Sequence, residues 1–152
     1  MSPATAGAFR NMRLSAAIIA LTLLFLTACE PQNTHVVGPF YLSYFETRDQ
    51  MALFRCPGEP DQGCAIDGLP NATVYAAGGD NNYVVVARHP HANESTKRDV
   101  SEFFYFARIR EERRGWGSSP EHIVGPLTEK QFDVAKRELS LPNFSIVFDD
   151  LK

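Results

Sequence analysis

The sequence predicts an α+β domain, a mainly antiparallel β-sheet of about six strands with one C-terminal α-helix packed on it, and three observations carry that expectation. Short aromatic or β-branched runs alternate with polar clusters along the chain. The clearest pair of runs, Thr73–Ala77 and Tyr83–Ala87, flanks Gly78-Gly79-Asp80-Asn81-Asn82, whose residue types accept positive φ and close hairpins. At Thr128 a helix-start signal is complete, because Gln131 stands three residues on and makes a capping box.

Taken in order, Phe40–Phe45 and Met51–Cys56 read as a first hairpin around the polar turn Glu46–Gln50. Thr73–Ala77 and Tyr83–Ala87 form the second. The nearly continuous apolar run of Tyr83–Ala87 suits a central strand covered on both faces. Ser101–Arg110 reads as a fifth strand. One face would carry Phe103, Tyr105, Ala107 and Ile109, and the other Phe104 and Phe106 followed by Arg108 and Arg110. A cover over half of that second face is expected, and the C-terminal helix is the natural candidate. Leu127 and Phe132 sit where a hydrophobic staple forms, Phe132, Ala135 and Leu139 share a stripe, and the helix should end by Leu141, before Pro142. Ser145–Phe148 would add a last edge strand, with Asp149 and Asp150 discouraging further pairing. His35-Val36-Val37-Gly38-Pro39 and His122-Ile123-Val124-Gly125-Pro126 repeat a pattern that reads as an extended lead into the next element.

The first residues have a different character. Arg10 and Arg13 precede a 13-residue apolar stretch, Leu14–Leu26, broken only by Ser15 and Thr22. As a helix this stretch would reach only about 20 Å, short of the roughly 30 Å hydrocarbon core, so an exported leader is expected rather than a spanning helix. A start at Met12 instead of Met1 would change only the leader. The closing residues Leu26-Thr27-Ala28-Cys29 resemble the lipobox of the bacterial lipoprotein family. The resemblance implies removal of residues 1–28, a diacylglyceryl thioether on Cys29 and acylation of the new amino terminus, with several chains holding the protein stably to a membrane. Glu30, rather than aspartate, follows the cysteine, and by the same resemblance this favours the periplasmic face of the outer membrane over the inner membrane.

Cleavage there leaves 124 residues, which divide into a lipidated tether, 29–35, and a single domain, 36–152, large enough for its own core. Of these residues 13 are basic and 18 acidic, a formal charge of −5. Nucleic acid is therefore not an expected partner, and broad electrostatic adhesion to anionic lipid is disfavoured. With Cys29 lipidated, Cys56 and Cys64 are left as an even pair around the turn-rich Pro57–Gly63, in a compartment that permits disulfides. A Cys56–Cys64 bridge is expected, stabilising the fold by about 2–3 kcal/mol in the chain-entropy model.

The order of an aromatic strand, the strand Tyr83–Ala87, the aromatic strand Phe103–Ile109 and then Gly125-Pro126-Leu127-Thr128 with Phe132 also resembles a domain-of-unknown-function family of small bacterial lipoproteins. The loops Cys56–Cys64 and Glu111–Ser119 depart from that pattern. This likeness implies the fold and the anchor and carries no mechanism.

Chemical motifs are sparse. No Gly-x-Ser-x-Gly turn and no Walker or dinucleotide glycine pattern occurs, so no cofactor is expected. His89, His91 and His122, with Glu94, are the residues that could assemble a metal site, although a solvated loop explains them equally. Arg110, Arg113 and Arg114 lead to Trp116 between two glycines. Arginine and tryptophan are common interface anchors, which marks this loop as a partner-binding candidate; Trp116 folded back onto the sheet, with the charges solvated, accounts for the same residues. The expectation is a membrane-anchored envelope lipoprotein that binds another protein or a cell-wall component and is not an enzyme. Two other classes fit the same residues: a periplasmic immunity or inhibitor protein directed at a toxin or lytic enzyme, and a metal-binding or hydrolytic envelope protein using His89, His91 and His122.

Overall fold

The computed structural model describes residues 33–56, 63–64, 69–92, 95–113 and 122–152. Cys29, Glu94, Arg114 and Trp116 lie outside the described residues. In chain order the strands are β1 (Thr34–Val37), β2 (Phe40–Ser43), β3 (Ala52–Arg55), β4 (Val74–Gly79), β5 (Tyr83–Arg88), β6 (His91–Ala92), β7 (Ser95–Thr96), β8 (Glu102–Ala107), β9 (Val124–Leu127) and β10 (Ile146–Val147). Among the described residues two α-helices, α1 (Arg108–Glu112) and α2 (Glu129–Leu139), follow β8 and β9 respectively, and a 3-10 turn spans Arg48–Gln50. All strand pairs are antiparallel. The fold is α+β, with its main helix near the C-terminus.

The strands divide into a three-stranded sheet ordered β1-β2-β3, a five-stranded sheet ordered β10-β4-β5-β8-β9, and the small ribbon β6-β7. The expected single sheet is thus two packed sheets. Burial explains the division. On β8, Phe103 and Tyr105 point to one face and Phe104 and Phe106 to the other, and a side chain as large as Phe needs cover on whichever face it occupies. Phe106, fully buried, meets Phe40 of β2 with ring centroids 5.2 Å apart. Phe103 stacks on Phe132 of α2 at 5.2 Å, and Phe144 joins the same stack at 5.6 Å from Phe132. The helix therefore covers the Phe103 face, opposite to expectation, and the three-stranded sheet covers the Phe106 face. Central strand β5 lies between them, with Val84, Val85, Val86 and Ala87 all fully buried.

Gly78 and Gly79 are strand residues of β4 and not part of the turn. Their lack of a side chain serves close approach: a Cβ on Gly78 would collide with the Asn143 carbonyl oxygen, and one on Gly79 with the Val37 side chain. The turn itself is shorter. Asp80 Oδ1 accepts from the backbone N–H groups of Asn82 at 2.7 Å and Tyr83 at 2.8 Å, a side chain mimicking a backbone turn.

Strand β8 stops at Ala107, and Arg108–Glu112 turn helical where alternation had placed three more strand residues, Arg108, Ile109 and Arg110. Arg and Glu are better helix than strand formers, Arg108 pairs with Glu112 at i,i+4, and the Arg108 N–H donates to Asn82 O at 2.8 Å. At α2 the capping box is present, with the Gln131 side chain accepting from Thr128 N at 2.8 Å and the Thr128 hydroxyl accepting from Gln131 N at 3.4 Å. Ser140, at φ 54°, ends the helix. Phe132 is its one buried residue, whereas Leu139, placed on the buried stripe by spacing, is exposed.

Thr34 and His35, counted with the tether, are already paired in β1, opposite Leu42 and Tyr41. The repeated His-x-Val-Gly-Pro segments are likewise strands, β1 running into the Gly38-Pro39 turn and β9 carrying Gly125-Pro126 within it. At the other end, β10 pairs at the edge of the five-stranded sheet, Leu151 is buried, and Asp150 accepts from Arg48 Nε at 2.8 Å and Nη2 at 3.1 Å. Among the described residues no helix is long and apolar enough to cross a membrane.

Candidate partner-binding surface

Helix α1 is too short to be held by its own hydrogen bonds, so its position is set by what it buries. Glu111 is fully buried. Its carboxylate Oε1 accepts the backbone N–H of His122 at 3.2 Å, and its carbonyl accepts from Nη1 of Arg55, itself only 3 % exposed, at 2.7 Å. Burying a polar group is costly unless it is hydrogen-bonded. Here the engagement fixes both ends of the segment between α1 and β9.

Arg108, in the same helix, is turned inward and pairs with Glu112, while its Nη1 donates to Asp80 O at 3.1 Å. Arg110 and Arg113 remain exposed. Ile109 is 53 % exposed, and Val124, at the start of β9 opposite Tyr105, is 41 % exposed. Two predicted contact residues, Arg110 and Arg113, thus lie with two uncovered apolar side chains on a pinned base, while Arg114 and Trp116 fall outside the described residues. Alternation places Ile109 on the Phe103 face of a strand and gives no sign that Glu111 is buried. The run Arg-Ile-Arg-Glu-Glu, made of helix formers, was the signal that could have corrected both.

The histidines are used separately. His89 is 2 % exposed and stacks on Tyr75 at 4.5 Å, with its Nδ1–H donating to Val100 O at 2.7 Å. The Thr73 hydroxyl donates to the Asp49 carbonyl, so across the 2.8 Å between Thr73 Oγ1 and His91 Nε2 the histidine is the donor. His122 stands at the base of the loop, where its N–H meets Glu111. Among the described residues no three His, Cys, Asp or Glu side chains converge as a metal set would require. The metal reading of His89, His91 and His122 has no assembled site here.

Cys56 and Cys64 are joined in a disulfide with Cα atoms 4.2 Å apart. Cys56 belongs to a small second cluster with Ala52 and Phe54 on the outer face of the three-stranded sheet, against which Tyr41 and Cys64 pack. The bridge therefore caps a minor apolar layer away from the main core.

Compared with known proteins, the chain matches no family model, no curated protein and no solved structure.

Proposed function

We propose that this is a membrane-anchored lipoprotein of the bacterial cell envelope, lipidated at Cys29, that acts by binding another protein or a cell-wall component through α1 and the loop after it. The observation that supports it most is the buried Glu111, which fixes α1 and His122 together while leaving Ile109, Arg110 and Arg113 exposed. A pre-ordered base lowers the entropy lost on binding. Arginines beside uncovered aliphatic side chains give an interface both charge and apolar area.

The anchor and the surface are tested in one preparation. Cells grown with labelled fatty acid should label the wild-type protein, and Cys29→Ser should release it unlabelled into the soluble fraction. Affinity capture from solubilised membranes with wild-type protein should then yield a partner that the double variant Arg110→Ala, Arg113→Ala loses at least several-fold. Equal capture by the two proteins would sink the assignment of the surface. A single stoichiometric partner with toxic or lytic activity would select the immunity or inhibitor form of the reading.

A further inference from the structure

A second exposed feature lies at the far end of the first hairpin. Phe45, just past β2, is 68 % exposed, more than any other large apolar side chain among the described residues. It leans edge-on against Phe54 of β3 with centroids 5.7 Å apart. Together with Asn33, Ser43, Tyr44, Gly63 and Cys64 these two rings line a groove of about 340 Å³. None of the seven residues is formally charged, in a chain whose net charge is −3.

Resting on the Cys29 anchor proposed above, we infer that this groove and the Phe45 ring form the membrane-facing surface of the domain, seated on bilayer lipid. Covalent reach is the first argument. Four peptide links separate Cys29 from Asn33, so the groove wall lies within about 14 Å of the lipidated sulfur's Cα even with the tether fully drawn out. Thr34 is already paired with Leu42, which prevents the domain from swinging on a longer leash. Chemistry is the second. The groove lining sets aromatic rings among small neutral residues, a composition that suits the headgroup boundary, with the exposed Glu46 following Phe45 at its rim.

Orientation is the third argument. In the β1–β2 hairpin Thr34 faces Leu42 at the open end, beside Phe45, and Val37 faces Phe40 at the closed end. Gly38, in that closed turn, abuts Arg108 of α1, whose Nε lies 3.1 Å from where its Cβ would be. The Phe45 end of the groove and α1 therefore occupy opposite ends of that hairpin, while the Cys64 wall, bonded to Cys56, runs back along the outer face toward the closed turn. Seating Phe45 on the bilayer turns Ile109, Arg110 and Arg113 away from it.

The test places p-benzoylphenylalanine at position 45, or at 109 as control, in the lipidated full chain reconstituted in phosphatidylethanolamine–phosphatidylglycerol vesicles carrying a labelled lipid. Both positions are exposed and tolerate the larger ring. Irradiation should give several-fold more lipid adduct from position 45 than from 109. Vesicle flotation with no excess adduct at 45, or adducts from 45 formed only with protein, would overturn the inference and leave the anchor standing. Loss of flotation for the wild-type chain would remove the anchor, and the inference with it.

Discussion

At Asp150 a single exposed carboxylate fastens the end of the chain. Arg48 donates to both of its oxygens, Arg98 donates to its carbonyl at 2.8 Å, and the Arg48 guanidinium also lies 5.1 Å over the Phe148 ring. The hydrogen bonds from Arg48 hold the Asp150 carboxyl below its ordinary value of 3.8. A lowered value means that the folded state favours the ionised form, so the stabilisation is present above the ordinary range and is lost as pH falls through the lowered value. Because both partners are solvated, the pair is worth only about 0.2–1 kcal/mol. Urea unfolding of Asp150→Asn should show a deficit of that size at neutral pH, and the deficit should vanish in acid below the ordinary carboxylate range. A deficit unchanged across that interval would mean that charge is not its cause.

Among the elements, α2 shows how local signals and packing divide the work. Its start is written in Thr128 and Gln131, and both halves of the capping box form. Thr128→Ala should lower stability by about 1 kcal/mol, the usual worth of an N-cap side chain, read as a shift in the urea midpoint with an unchanged slope. Much of the fold was legible in this local way, including both hairpins, the central position of β5 and the edge strand at Ile146–Val147. What escaped was decided by distant neighbours. Gly78 and Gly79 look like a turn until Asn143 and Val37 are seen to occupy the space their side chains would need. The faces of β8 were readable from alternation, but which layer covers each depends on Phe40 and Phe132, 66 residues before and 26 after Phe106. At the candidate surface, Arg110 and Arg113 were legible as exposed charges. Glu111 was not, because one carboxylate in a run of charges carries no local mark of burial.

For the whole molecule, two sheets and a helix share one core, and its last contributor is Leu151, 2 % exposed at the penultimate position. Truncation after Asp149 removes that side chain together with the Asp150 clamp, and should cost about 2–5 kcal/mol from the lost core packing alone. Thermal unfolding of the truncated chain checks this, and a melting temperature within a degree or two of wild type would refute it. The arrangement has a consequence for how the protein comes into being. β4, made near the middle of the chain, keeps an open edge until Ile146, 69 positions after its partner Ala77, arrives to close it. Folding of these layers is gated by the emergence of β10 and Leu151: a chain interrupted before them leaves both the β4 edge and the Leu151 niche uncovered.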